Sequence, residues 1–284
     1  MDSIKRDIGT RRFWKLLAIN AFAAFGALAV VGGVMVLFAP DIFVGMAPLG
    51  WVAAVAAAGY GVFRAWPRPV AVRYQAPATT IRLVCGDIFE QHESHLVIGV
   101  SDTFDTASPH ISSESVQGQF LSRVYDHDLN RLDADIDEQL RSVDATGRIL
   151  GKAGKSVQYP LGTTLTLRAN ARRYFLVAYT TMDTKSMASS TTDGVWNSLS
   201  ALWRVIRAES NGKRVCIPMI GGGQSKLSPV LPAMDSVRFI ALSFMLASRT
   251  SKVCDELVIV APPALYDGLD HLEIQAFLKS LRPS

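Results

Sequence analysis

The sequence has few cysteines and few charged residues. Only three of its 284 residues are cysteine, Cys85, Cys216 and Cys254, and their wide separation gives neither a CxxC metal motif nor a disulfide framework. Charged residues make up 19% of the chain and hydrophobic residues 49%, and the mean hydropathy is +0.21. This balance is too apolar for an ordinary soluble domain. It indicates a membrane segment joined to a soluble part, whose cysteines are expected to be reduced core residues of a cytoplasmic domain.

Negative charge is scarce in the N-terminal quarter. Residues 1–75 contain eight Lys or Arg and three Asp, a net charge of +5, whereas the other 209 residues contain 21 Lys or Arg and 22 Asp or Glu, net −1. The basic pI of about 9.0 therefore reflects the N-terminal segment, while a nucleic-acid-binding domain carries its positive charge on a folded face. The sequence thus predicts no nucleic-acid partner.

Two uncharged stretches follow the basic N-terminus. Leu16–Pro40 has 25 residues and Ile42–Phe63 has 22, with only Asp41 between them. A helix rises 1.5 Å per residue, so each is long enough to cross a hydrocarbon core about 30 Å thick. Pro40 and Pro48 mark a turn. We expect a transmembrane helical hairpin over residues 16–63, because a cleaved signal peptide, the alternative, would be shorter and would not be followed by a second span.

Basic residues flank both ends of this hairpin. They lie in residues 1–15 and again from Arg64 to Arg73, so the positive-inside rule predicts a two-span protein with both termini in the cytoplasm. Small residues are concentrated at Ala53–Gly61 and at Gly26, Gly32 and Gly33. Such residues allow close helix contact in lipid, either within one hairpin or between protomers of a homo-oligomer.

The segment 64–78 contains three prolines among arginines and is expected to be an extended linker along the membrane surface. From residue 79 to 284, apolar runs rich in β-branched residues alternate with helical patterns. Strands that are apolar on both faces and separated by helices predict an α/β fold with three α/β/α layers. Strands are predicted at Thr80–Cys85, His95–Val100, Thr164–Leu167, Tyr174–Thr180, Val215–Met219 and Leu257–Ala261. Helices are predicted at about Glu114–Tyr125, Asp128–Leu140, Asp193–Ala208, Val230–Ala247 and Leu269–Leu281.

A glycine-rich loop, Ile217–Pro229, leaves a predicted buried strand and leads into a helix. Gly221, Gly222 and Gly223 allow backbone N–H groups to converge on an anion, and the N-terminus of a following helix favours phosphate. The spacing matches neither the P-loop nor GxGxxG, so a purely structural turn is the alternative.

Two further segments follow strand ends. Asp87 lies one residue past a strand end, where α/β sheets bind ligands. It would accept a hydrogen bond from an adenine amino group, or it would cap the next segment. The polar loop Ser101–Ser115 is long for a connection and ends at Ser112 and Ser113, either of which would cap the next helix. The five histidines show no metal-ligand spacing, so no metal is expected.

Together these segments resemble a macro domain, and more closely the macro domain of membrane effectors of type II Thoeris antiphage systems, in which a two-helix hairpin precedes it. The residues that carry the resemblance are Gly86–Phe89, Ile98–Thr106, Ser113–Phe120, Tyr159–Thr164 and Pro218–Gly223.

The resemblance implies a domain that senses an ADP-ribose-type nucleotide made from NAD by a partner TIR-domain protein, with no other cofactor, and membrane spans that disrupt the bacterial inner membrane. The implied ligand-binding residues are Asp87, Ile88, Ser101, Asp102, Thr103, Ser113, Ser115, Gln117, Gly118, Gly162, Thr163, Gly221, Gly222, Gly223 and Gln224.

Catalysis is not expected. Macro domains that hydrolyse ADP-ribosyl groups carry paired Asn at the strand end, and Ser101–Asp105 reads SerAspThrPheAsp instead. Hydrolysis would need a base such as Asp102 or Asp105 near a water at the ribose. Two alternatives remain open: a membrane-tethered ADP-ribosyl hydrolase, and a holin-like membrane protein whose soluble part only assembles.

Overall fold

The structure is a computed structural model that describes residues 11–38, 47–65, 70–108, 110–221 and 231–282. The chain divides into two compact units, Met1–Arg68 and Pro69–Ser284. Residues 1–10 of the predicted basic N-terminus (1–15) and the predicted turn around Asp41 lie outside the described residues.

The N-terminal unit consists of two helices, α1 (Arg11–Phe38) and α2 (Ala47–Ala65). They pack against each other at Gly61, where an added Cβ would lie 2.9 Å from the Cβ of Ala21 and 2.9 Å from the carbonyl oxygen of Leu17. Gly61 therefore allows the backbone of α2 to approach α1, as small residues do in membrane helix pairs.

Among the described residues, one helix is long and apolar enough to cross a membrane, Phe13–Val34. Its large apolar side chains are largely exposed, including Phe22 at 77%, and the second helix also exposes Trp51 at 78%. Helix α2 has 19 residues and ends with Arg64 in its last turn. The two-span hairpin, its orientation and the inner-membrane location therefore stay predictions.

The second unit is built on an eight-stranded mixed sheet in the described part of the chain. Its strands are β1 (Val70–Tyr74), β2 (Thr79–Cys85), β3 (His95–Ser101), β6 (Thr164–Ala169), β7 (Arg172–Met182), β8 (Ala188–Ser189), β9 (Val215–Pro218) and β10 (Glu256–Ala261). They follow the path β1-β2-β10-β9-β3-β7-β6, with β8 attached to β7. Strands β2, β10, β9, β3 and β7 run parallel, whereas β1 and β6 pair antiparallel at the two edges. A separate two-stranded sheet joins β4 (Gly147–Arg148) and β5 (Val157–Gln158).

Helices cover both faces of the large sheet. The helices are α3 (Val116–Val124), α4 (Leu129–Leu140), α5 (Thr192–Glu209), α6 (Ala233–Thr250), α7 (Pro263–Tyr266) and α8 (His271–Ser280), with a short 3-10 helix at Ile88–Glu90. Alternate residues of β3 enter different cores. Val97 packs with Trp203 of α5 and Phe244 of α6, while Ile98 packs with Phe120 of α3. The prediction of a three-layer α/β/α domain is confirmed.

The predicted extended linker at 64–78 is wrong at Val70–Tyr74, which form an edge strand of the sheet. Val70, Val72 and Tyr74 are buried in β1, which pairs with β2, and the Tyr74 hydroxyl donates to the carbonyl oxygen of Leu278 at 2.7 Å. The linker was predicted from its prolines, but these flank the alternating apolar residues of the edge strand and do not interrupt them. The folded domain therefore includes Val70, nine residues before the predicted start.

The cysteines are free thiols, as expected. Cys216 and Cys254 are buried, and Cys85 is half-buried. Burial raises the pKa of Cys216 to about 11 and that of Cys254 to about 12, so both remain protonated at neutral pH and pack as core residues.

Candidate functional site

A cavity of about 420 Å³ lies at the carboxyl ends of β3, β7 and β9. This is the edge at which parallel α/β sheets bind ligands. Its lining includes the end of β3, the end of β7 with the turn that leads to β8, the start of α3, and the residues Ile217–Gly221 at the end of β9 and just after it.

The floor of the cavity depends on a glycine in β3. A Cβ on Gly99 would lie 2.0 Å from Cε1 of Tyr179, a residue of the neighbouring strand β7 whose ring also lines the cavity. The missing side chain at Gly99 therefore lets the Tyr179 ring lie against the backbone of β3.

The N-terminus of α3 forms one wall. The Oγ of Ser115 accepts a hydrogen bond from the N–H of Gly118 at 3.0 Å and donates to the carbonyl oxygen of Ser112 at 2.6 Å. The predicted cap at Ser112 or Ser113 is therefore wrong, because Ser115 stands three residues before the N–H that needs an acceptor. Ser115 and Gln117 line the cavity, whereas Ser113 and Gly118 do not.

Gly118 nevertheless matters to this wall. An added Cβ would lie 2.2 Å from the Ser112 carbonyl oxygen, so the loop before α3 packs directly on the first turn of the helix. Only glycine permits that approach.

Ser101 lines the cavity, but the two residues after it face the protein interior. The carboxylate of Asp102 is buried and accepts hydrogen bonds from the Met182 N–H at 2.9 Å and from Nε2 of Gln158 at 2.8 Å. Burial raises its pKa against the opposing effect of these hydrogen bonds. Thr103 donates its hydroxyl to Oδ2 of Asp105 at 2.7 Å. Asp102 and Thr103 thus fix the loop and do not line the cavity.

Asp87 lies at the end of β2 and also has protein partners. Its Oδ1 accepts a hydrogen bond from the Phe89 N–H at 2.9 Å, which caps the short 3-10 helix, and its Oδ2 pairs with Arg123. Ile88 is buried at 5% exposure. Neither residue lines the cavity. The capping role weighed as an alternative is present, while the contact with adenine stays a prediction.

Gly162 and Thr163, two of the ligand-binding residues that the resemblance implied, form a turn against α5. Gly162 has φ of +90°, and its Cβ position lies 2.9 Å from the Cβ of Ala201. The N–H of Thr163 donates to the carbonyl oxygen of Pro160 at 3.0 Å. These two residues lie outside the cavity lining.

The glycine-rich loop begins at the cavity. Gly221, with φ of +91°, lines it, and the preceding Ile220 N–H donates to Oγ of Ser236 in α6 at 3.0 Å. Gly222, Gly223 and Gln224 lie outside the described residues. The start of the loop is thus held by the first turn of the following helix.

Several lining residues were missed by the sequence analysis. Thr180 and Met182 end β7, Ser186 lies in the next turn, His110 belongs to the loop before α3, and Ser198 projects from α5. The strand-end argument that found Ser101 applies equally to Thr180, since β7 runs parallel to β3. No local signal identifies Ser198, because it reaches the site only through packing of its helix on the sheet.

The polar groups of the cavity are neutral donors and acceptors together with one imidazole, His110. No Asp, Glu, Lys or Arg occurs among the described residues that line it. Likewise, the described residues contain no cluster of three metal-ligating side chains. The cavity therefore suits an organic ligand held by hydroxyl, amide and backbone groups and by apolar contact.

A mixed sheet between two helical layers, with its cavity at the carboxyl ends of the parallel strands, places the chain among the layered α/β proteins and matches the fold of a solved macro domain. A mutant of the Oceanobacillus iheyensis macrodomain superposes with a TM-score of 0.50 at 12% identity, covering 74% of this chain and 98% of that one. A second mutant of that macrodomain, solved with ADPR, gives a TM-score of 0.49 at 13% identity over 74% of this chain and 98% of the other.

Residues 81–262 match the family described as Thoeris protein ThsA, Macro domain, and the chain belongs to that family. A curated relative, Thoeris protein ThsA from Bacillus amyloliquefaciens (strain Y2), is 28% identical over 143 residues, which are 49% of this chain and 47% of that protein. The chain thus aligns with about half the length of this relative. The family resemblance predicted from the sequence is confirmed.

Proposed function

We propose that the chain is an antiphage-defence effector whose macro domain binds an ADP-ribose-type nucleotide in the cavity at the ends of β3, β7 and β9. The observation that carries the proposal is the cavity itself, about 420 Å³ in volume, between the N-terminus of α3 and Gly221. Its size lies within the usual range for small-molecule sites, roughly 300–1,000 Å³. Membership in the ThsA macro-domain family supports the nucleotide class.

The electrostatics of the site favour a diphosphate bound without cationic side chains. Helix α3 points its N-terminus towards the cavity at Ser115, and unpaired N–H groups in the first turn of a helix attract anions. Gly221 opens the glycine-rich loop on the other side. In this proposal these two backbone regions hold the diphosphate, while Ser101, Thr180 and Ser198 contact the sugars.

The proposal treats the protein as a binder rather than a hydrolase. The two carboxylates nearest in sequence to Ser101 are already engaged: Asp102 with Met182 and Gln158, and Asp105 with Lys152. A general base needs a free lone pair directed at its water. These contacts favour sensing over turnover.

The remaining steps of the proposal concern the membrane. The nucleotide is made from NAD by a partner TIR-domain protein, and its binding favours an assembled state of the chain in which α1 and α2 disrupt the bacterial inner membrane. The apolar helix Phe13–Val34 and the exposed apolar side chains of both helices support a lipid-facing role.

Calorimetric titration of the full chain with ADP-ribose in detergent tests the binding step. Gly99→Ala should reduce affinity at least tenfold, because the added methyl group displaces the Tyr179 ring from its place over β3 into the cavity. Gly147→Ala is the matched control, since its Cβ would meet only Oε1 of Gln158 at 3.5 Å on an exposed strand.

A rescue variant separates occlusion from misfolding. Combining Gly99→Ala with Tyr179→Ala makes room for the new methyl group and should recover part of the affinity. Equal affinity of wild type and Gly99→Ala would contradict the site. Chromatography of the titrated nucleotide completes the test, since its conversion to product would favour the hydrolase.

A further inference from the structure

A second pocket lies at the opposite edge of the sheet, where β3, β7 and β9 begin. It has a volume of about 320 Å³ and contains no Asp or Glu among the described residues that line it. Its cationic and amide side chains are Arg168, Asn170, Arg172, Arg173, Asn211 and Lys213. This composition differs from that of the cavity at the other edge, which has no charged side chain in its described lining.

Two of the cations have no acidic partner among the residues that the structure describes. The Nη1 of Arg173 is buried and has no hydrogen-bond acceptor in the described part of the chain. Lys213 is exposed and forms no ion pair with a described residue. A buried donor of a charged group is energetically unfavourable when it has no acceptor. An anion that enters this pocket would supply that acceptor.

The charges of the other two cations, Arg172 and Arg168, are not neutralised by a buried acid in the described part of the chain. Arg172 donates from Nε to the Ser94 carbonyl oxygen at 2.8 Å and from Nη2 to the carbonyl oxygen of Gln91. These contacts hold its guanidinium in place but do not neutralise it. Arg168 faces Glu209 at 3.8 Å, and the Arg168 side chain is 70% exposed, so solvent screens this pair.

His95 forms part of the wall without adding charge. Its Nδ1 accepts a hydrogen bond from the Arg173 N–H at 3.1 Å, and burial lowers its pKa. It therefore stays neutral at physiological pH and fixes the backbone that carries Arg173. The pocket is thus preformed on the rigid start of two central strands, which limits the ordering needed when a ligand binds.

We propose that this pocket binds a phosphate group, carried either by a soluble phosphate compound or by a phospholipid headgroup. Guanidinium and ammonium donors with neighbouring amide groups match the several acceptor oxygens of a tetrahedral oxyanion. Nucleic acid is disfavoured because no Phe, Tyr or Trp occurs among the described lining residues, so a base would have no aromatic ring on which to stack. The proposal is independent of the nucleotide cavity.

The test is calorimetric titration of inorganic phosphate into the full chain in phosphatidylcholine nanodiscs, with sodium chloride of equal ionic strength as reference. Wild type should bind phosphate saturably. Lys213→Gln should weaken binding at least tenfold. Lys279→Gln, which removes an exposed lysine from α8 and lies outside the pocket lining, should leave the affinity unchanged.

Arg173→Gln is a second variant on a different strand, and its thermal unfolding is measured in parallel to confirm that it folds. It should also lose phosphate affinity at least tenfold. The proposal is overturned if wild type gives no heat beyond that of chloride, or if folded Lys213→Gln and Arg173→Gln bind phosphate as wild type does.

Lipid composition distinguishes the two sources of phosphate. Discs containing phosphatidate are compared with discs containing oleate at the same surface charge, which controls for repulsion of phosphate by the membrane. A lower phosphate affinity only in the phosphatidate discs identifies the headgroup as the occupant. Equal affinity in the two identifies a soluble phosphate compound.

Discussion

Lys152 and Asp105 form an ion pair in the interior of the macro domain. The Nζ of Lys152 lies 2.6 Å from Oδ2 of Asp105, and the two side chains are 0% and 3% exposed. The same ammonium group donates to the carbonyl oxygens of Ala153 at 2.9 Å and Lys155 at 2.8 Å. The pair therefore joins the loop after β3, which starts at the cavity with Ser101, to the segment before β5.

Removing the cation of this pair should lower the free energy of unfolding. Lys152→Met keeps the length of the side chain but leaves the Asp105 carboxylate buried without its cation, which typically destabilises by about 3 to 5 kcal/mol. The measurement is urea unfolding of the full chain in detergent, followed by the fluorescence of buried Trp203. Lys185→Met, at an exposed lysine, is the control and should change the free energy of unfolding by less than about 0.5 kcal/mol.

Adding Asp105→Asn to Lys152→Met removes the uncompensated charge. The double variant should therefore be less destabilised than the sum of the two single variants, as expected for a coupled pair. Strict additivity would show that the contact contributes little.

The contact between Asp87 and adenine is tested by a substitution that preserves the cap. Asp87→Asn retains Oδ1, which accepts from the Phe89 N–H, but loses the charge paired with Arg123. If the carboxylate also accepts from the adenine amino group, affinity for ADP-ribose should fall by about 1.5 to 3 kcal/mol, while the hypoxanthine analogue, which lacks that group, should be much less affected. Calorimetry with both ligands gives the comparison. No change for either ligand would leave Asp87 with its capping role alone.

The layered fold could be predicted from local sequence patterns. Every predicted strand and helix of the macro domain is present, because runs such as His95–Val100 are apolar on both faces and are bounded by polar turns. Strand β1 was missed because its alternation covers only five residues and is flanked by prolines. Its pairing with β2 and its contact with Leu278 are long-range and leave no local signal.

The site was predicted less completely than the fold. Ser101, Ser115, Gln117 and Gly221 line the cavity, since strand ends and helix starts converge at one edge of a parallel sheet. Asp102 shows the limit of this rule. The family resemblance implied that it binds the ligand, but the donors that occupy its carboxylate come from β7 and β5, far away in sequence.

The buried His95 should give the macro domain a measurable pH dependence. Burial lowers its pKa below the usual 6.5, so between the two values the unfolded chain binds more protons than the folded chain. The free energy of unfolding therefore rises with pH through this window: the contribution of neutral His95 is complete above about 6.5 and is lost as pH falls below it. His95→Asn offers Oδ1 as the acceptor for the Arg173 N–H without titrating. Urea unfolding at pH steps on both sides of 6.5 should show a steeper pH slope for wild type than for this variant, and equal slopes would contradict the prediction.

The glycines of the N-terminal helices fall into two groups. One glycine packs against the other helix of the same chain, and the others lie on faces that no described residue of the chain covers. Only Gly61 lies against the other helix, whereas an added Cβ at Gly26, Gly33 or Gly59 would meet no atom within 4 Å. Faces that a single helix pair leaves open are available for close contact with a second protomer.

Gly33→Leu and Gly59→Leu should therefore leave the helix pair intact and ADP-ribose affinity unchanged, yet abolish membrane damage, because a ligand acts only by favouring one arrangement of the protein over another. Val31→Leu, at a position that is already bulky and exposed, is the control.

The measurement is dye leakage from liposomes containing the full chain, with ADP-ribose present or absent. Ligand-dependent leakage in wild type and Val31→Leu, lost in both glycine variants, is the expected result. Unchanged leakage in the glycine variants would contradict assembly through these faces. Nucleotide consumed without leakage would favour the tethered hydrolase, whereas leakage independent of the nucleotide would favour a holin-like protein.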